Sequence, residues 1–207
     1  MKSFHNDIAV KDKYLSRVIA HAAADRLVKG TGWANGKGCA IGCTLEAYDH
    51  SRYPVELGLP EWLARLEDSI FEGLPNNLAM TLPTRFLESI PVGVDVEIVR
   101  HKLALKRIDR LIIIQQGAAE KNYAYGVSEA ITQTLAALLQ VRRCHESEIG
   151  GNFCDLRAAW SAARSAAESA WSAARSAESA ESAESAESSA AFVQESEDLL
   201  QLLRECK

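Results

Sequence analysis

Residues 38–43 read Gly38-Cys39-Ala40-Ile41-Gly42-Cys43 and concentrate more potential chemistry than any other stretch of the 207-residue chain. Two thiols stand four residues apart, a spacing that places side chains on one helical face. Three uses fit. A soft metal takes a cysteine pair, with His21 or His50 completing four ligands. A thiol at a helix start, here Cys39, is activated by unpaired N–H groups that favour the thiolate. Gly38 and Gly42 also form a small-x-x-x-small pair that admits a second helix closely, with cysteine as a compact buried neighbour. No second cysteine pair at ligand spacing exists, so metal is the weakest reading and helix packing the strongest. No metal or cofactor is therefore expected.

His21 and Asp25 are also four apart, in His21-Ala-Ala-Ala-Asp25-Arg26. A carboxylate at that spacing orients an imidazole for acid–base or metal work. A cap or surface pair at Asp25–Arg26 is the plainer account. Arg65, Glu67, Asp68 and Glu72 share one predicted helix. Glu67 and Asp68 are adjacent and point about 100° apart, whereas paired-carboxylate chemistry needs two groups converging on one point. A solvated face with an Arg65–Glu72 or Arg65–Asp68 pair explains them. The candidate catalytic residues are thus His21, Asp25, Cys39, Cys43, Glu67 and Glu72. The weak metal candidates are Cys39, Cys43, His21 and His50.

Helical elements must position these groups. Apolar periodicity predicts a helix over Lys11–Lys29, with Asp12 as its cap. A loop or small hairpin over residues 30–38 turns at Asn35-Gly36. A short helix follows from Cys39 to His50. Pro60 starts another, buried along Leu63, Leu66, Ile70 and Phe71 and ended by Gly73-Leu74-Pro75. Pro83–Ile90 is helical, and Asp95 caps a longer helix; its end, Leu111–Ile114, has the β-branched content of a strand, but the helical periodicity runs into it without a break, which favours helix. Ser128–Cys144 is the next, before a break at Gly150-Gly151. Strand signals are sparse, so the class is all-α: a multi-helix, orthogonal or bundle-like domain with a long Ala-rich C-terminal helix. The domain covers 1–150 and the Ala/Ser-rich helix 151–207.

The tail has its own pattern. Between Ala158 and Ala191, 25 of 34 residues are Ala or Ser. Ala159-Trp160-Ser161-Ala162-Ala163-Arg164-Ser165 returns eleven residues later, close to three helical turns, so the repeat stays in phase with a straight helix. Trp160, Arg164, Glu168, Trp171, Arg175 and Glu178 fall within about 80°. The alanines form another face, which Phe192, Leu199 and Leu203 continue. Glutamates spaced by three, Glu178 to Glu187, drift around the helix and are expected to be solvated.

The chain carries 23 Lys/Arg and 28 Asp/Glu. Residues 152–207 hold ten acidic and five basic groups, and the rest balance. No basic patch dominates, which argues against nucleic acid. No apolar run approaches the roughly 20 residues that span a bilayer, and no signal-type stretch opens the chain; the expected location is cytoplasmic. Five irregularly spaced cysteines are expected to be reduced thiols. Walker, dinucleotide, Gly-x-Ser-x-Gly and His-Glu-x-x-His patterns are absent.

Several blocks together resemble a family of uncharacterised bacterial proteins. They are His21 to Arg26, Gly36-Lys37-Gly38-Cys39-Ala40-Ile41-Gly42-Cys43-Thr44-Leu45, Leu57-Gly58-Leu59-Pro60, Leu63 to Asp68, Ile70 to Pro75, and Arg85-Phe86-Leu87 with Ile90-Pro91. The resemblance covers residues 17–100 and implies an Ala-rich repetitive tail ending in a Leu-Leu helix; it brings no activity. Two function classes follow from the residues. The favoured one is a non-enzymatic interaction or scaffold protein, with residues 158–207 binding a second copy or a protein partner. The other is a small thiol- or metal-dependent enzyme with a site around His21, Cys39 and Cys43.

Overall fold

The computed structural model describes residues 1–120, 125–175 and 184–207, of which 125–127, 167, 169–175 and 184–188 as backbone. The described residues are all-α apart from one two-stranded hairpin. In chain order the helices are α1 (Ile8–Ala23), α2 (Ala40–Leu45), α3 (Arg52–Leu57), α4 (Glu61–Gly73), α5 (Asn76–Ala79), α6 (Leu82–Ser89), α7 (Glu97–Ala119), α8 (Tyr125–Ile149), α9 (Leu156–Arg175) and α10 (Glu184–Arg204). The strands are β1 (Trp33–Ala34) and β2 (Lys37–Gly38). The chain divides into two compact units: Met1–Val99 with Glu184–Lys207, and Arg100–Ala183. This division differs from the expected one at residue 150. Among the described residues no helix is long and apolar enough to cross a membrane.

In the first unit α1 begins earlier than its periodicity suggests. Its cap is Asp7, whose carboxylate accepts from the Ala9 N–H at 2.8 Å, and Asp12 lies inside the helix. The hairpin turns where expected. Asn35 and Gly36 both take positive φ, 52° and 74°, the pair of values that a tight two-residue turn between antiparallel strands requires. Pro60 caps α4, and Leu63, Ala64, Ile70 and Phe71 are buried along it. Helix α2 stops at Leu45, where Glu46 turns left-handed, so the stretch to His50 is loop.

Helix α10 packs on α4 and α6. Leu199, Leu200 and Leu203 are fully buried. Phe192 lies over Gly73 at the end of α4, where any Cβ would overlap its ring. The apolar end of the tail is therefore core material of this unit. A single helix through the Ser-Ala-Glu repeat was expected. That reading crosses residues 176–183, which lie outside the described residues.

The second unit is built on α8 and α9, which lie closely against each other. Asp155 starts α9 by accepting from the Ala158 N–H. Ala159 and Ala163 are buried with Ile108, Ile112, Leu138, Val141 and Cys144, while Trp160 stays exposed. The predicted alanine face is thus used inside this unit. Arg142 ties α8 to Asp109 of α7 at 2.7 Å. Cys144 and Cys154 are joined in a disulfide, their Cα atoms 5.2 Å apart. The chain reversal at Gly150-Gly151 brings the two together, which corrects the expectation of five reduced thiols.

Candidate functional site

The first unit contains a cleft of about 400 Å³, lined by Gly30, Thr31, Gly32, Cys39, Tyr48, Asp68 and Glu72. Its floor comes from α2 and α4, which pack together, and its wall from the loop before β1. Asp68 and Glu72 are one turn apart on α4, a spacing that puts both on one face. Cys39 sits at the start of α2, where its N–H donates to the Thr31 and Gly32 carbonyls at 2.7 and 3.1 Å. The Cys39 sulfur and one oxygen from each of Asp68 and Glu72 lie within 4.8 Å of one another.

Each group is held by neighbours. The Glu72 carboxylate accepts the Gly30 N–H on both oxygens, at 3.0 and 2.9 Å. Asp68 Oδ2 accepts the Tyr48 hydroxyl at 2.8 Å and lies 3.1 Å from His50 Nε2. Asp68 Oδ1 is buried and has no hydrogen-bond partner among the described residues. Tyr48 and His50 meet edge to face, 5.0 Å between centroids. Gly32 lets the Tyr48 ring close down, since a Cβ there would overlap it. Among the described residues no lysine or arginine lines the cleft, so its two carboxylates favour a cation.

Burial pushes the Cys39 thiol up to about 12; backbone N–H groups of Gly42 and Ile41 pull against this, and the Asp68 carboxylate adds to the rise. The helix start acts in the direction expected of it, but desolvation wins and Cys39 is a protonated thiol, not an activated thiolate. Tyr48 is likewise raised to about 12, chiefly by its hydrogen bond to Asp68.

The other candidates lie elsewhere. Cys43 is fully buried and donates to the Gly38 and Arg26 carbonyls, and burial raises it to about 11. The i, i+4 thiols thus serve different surroundings, and Cys43 belongs to none of the metal-ligating groups among the described residues. Close packing at Gly38 and Gly42 is present with another partner than a helix: a Cβ on either would strike the Gly32 carbonyl of the neighbouring loop. His21 is buried, edge-on to Trp33, with Nε2 3.4 Å from Glu46. Asp25 is exposed past the end of α1, with a left-handed φ of 51°. Arg65 pairs with Glu61, one turn back, rather than with Asp68 or Glu72.

Glu67 is fully buried, next to Asp68 in sequence, and accepts the Tyr53 hydroxyl at 2.6 Å. Burial lifts its carboxyl to about 8, so it is neutral at pH 7. Asp68 and Tyr48 are the residues that sequence reasoning missed. The i, i+4 spacing of Asp68 and Glu72 was the one available signal.

Comparison of the chain with protein-family models, with curated proteins and with solved structures matches it to none of them.

Proposed function

We propose that the first unit holds a divalent cation of the zinc type in this cleft, with Cys39, Asp68 and Glu72 as its protein ligands. The convergence of those three donors within 4.8 Å carries the reading. One sulfur with two carboxylate oxygens suits a borderline-soft ion. Tetrahedral zinc bonds of roughly 2.0–2.3 Å separate ligand atoms by about 3.5 Å, so small side-chain rotations close the set. Asp68 is prepared for the role: Tyr48 and His50 hold Oδ2, which leaves Oδ1 free to ligate. Three protein ligands leave a fourth position towards the cleft. That is the layout of sites which activate water or polarise a substrate oxygen, rather than of closed structural sites. The class of activity supported is metal-assisted chemistry on a small molecule.

Equilibrium dialysis of metal-stripped protein against zinc tests it. One ion per chain is expected, lost in Cys39→Ser and kept in Cys43→Ser. Retention in Cys39→Ser overturns the assignment.

Association through the 158–207 segment, with a second copy or a protein partner, is the second reading. The exposed Trp160, Arg164 and Glu168 of α9 favour it. Sedimentation over a wide concentration range tests it, and a monomer throughout contradicts self-association.

A further inference from the structure

The geometry points to a second ligand site, in the unit Arg100–Ala183, for a carboxylate carried on an apolar body. A cavity of about 320 Å³ opens among α7, α8 and α9, a volume at the low end of small-molecule sites, which run from roughly 300 to 1,000 Å³. Leu111, Leu138 and Ala163 form apolar walls. Leu138 and Ala163 belong to the buried cluster of this unit, so the cavity reaches its core. Trp160 also lines it and meets His145 edge-on, centroids 6.4 Å apart.

Three lining residues carry side-chain hydrogen-bond donors, Arg164, Gln115 and Trp160, while the hydroxyl of the fourth polar one, Thr134, donates to the Ala130 carbonyl. None of the three is committed to an acceptor among the described residues. The acidic groups Asp109 and Glu146 are taken by Arg142 instead, and among the described residues no acidic side chain lines the cavity. Apolar walls beneath a cation with neighbouring neutral donors complement an anion on a hydrocarbon or aromatic body. A carboxylate matches the planar guanidinium fork. A neutral apolar ligand would leave all three donors unused, and a cationic one would meet Arg164.

Calorimetric titration of the full chain with decanoate, octanoate and 1-octanol, all below their aggregation limits, tests this. Saturable binding of decanoate at one site per chain is expected. Each methylene removed weakens binding about fourfold, so octanoate binds about 15-fold more weakly than decanoate. Arg164→Gln, at an exposed position that leaves the fold intact, weakens both acids about tenfold and leaves 1-octanol unchanged. Trp160→Ala weakens all three. No saturable binding of decanoate, 1-octanol binding as tightly as octanoate, or an Arg164→Gln protein with unaltered affinity overturns the proposal.

Discussion

Cys39 and Asp68 lie with a sulfur and a carboxylate oxygen no more than 4.8 Å apart, one at the start of α2 and the other in the middle of α4. The pair makes the cleft a site. It joins a thiol that burial keeps protonated to a carboxylate with one oxygen already engaged by Tyr48 and His50.

Thiol reactivity follows from that burial. Three cysteines lie outside the disulfide: Cys39, Cys43 and Cys206. The thiols of Cys39 and Cys43 are raised to about 12 and 11, whereas Cys206 is half-buried near the C-terminus. In native, metal-free protein at pH 8, Ellman-type titration should label Cys206 quickly and the other two only on unfolding. Peptide mapping that finds fast label on Cys39 contradicts the desolvation argument.

The buried acid beside Asp68 makes stability depend on pH. The folded protein keeps the Glu67 proton up to about pH 8, while the unfolded chain releases it near 4.5. Between those values the folded state binds more protons, so stability declines as pH rises through the window, by a few kcal/mol in all. In Glu67→Gln the side chain cannot ionise, and that part of the decline should vanish. Urea unfolding of metal-stripped protein at pH 5, 6.5 and 8 measures both proteins. Parallel profiles for the two would show that Glu67 is ionised in the fold.

Two glycines should respond oppositely to alanine. A Cβ on Gly42 meets the Gly32 carbonyl, a backbone atom with little room to move, so Gly42→Ala should cost about 2–3 kcal/mol and loosen the cleft wall. Gly117 in α7 faces open space, and there alanine should add up to about 1 kcal/mol through helix propensity. Thermal unfolding followed by circular dichroism compares them. A neutral Gly42→Ala would mean the loop yields and does not hold Cys39 in place.

Much of the fold was legible because it is local. The α4 stripe of Leu63, Ile70 and Phe71 and the Asn35-Gly36 turn depend on spacing and backbone preference within a few residues. The site was legible only in part, because it is assembled across the chain. Cys39 was a candidate from its glycine-flanked position, but its partners lie on α4, and the spacing between the two helices says nothing about their contact. Asp68 looked like one charge on a wet face; only the return of Tyr48 and His50 onto α4 covers it in part. The tail misled for a related reason. Its Ala face and its Leu199/Leu203 face share one helical phase, yet the first packs within the Arg100–Ala183 unit and the second within the core around α4 and α6. Phase along a helix does not reveal which surface covers each part.

The zinc-type site is tested most directly by titrating metal-stripped protein with Co²⁺ and recording its absorption. The account predicts one equivalent bound, with a sulfur-to-cobalt charge-transfer band that is absent in Cys39→Ser and strongly reduced in Asp68→Asn. A titration with no such band, or one whose band persists unchanged in Cys39→Ser, would contradict it.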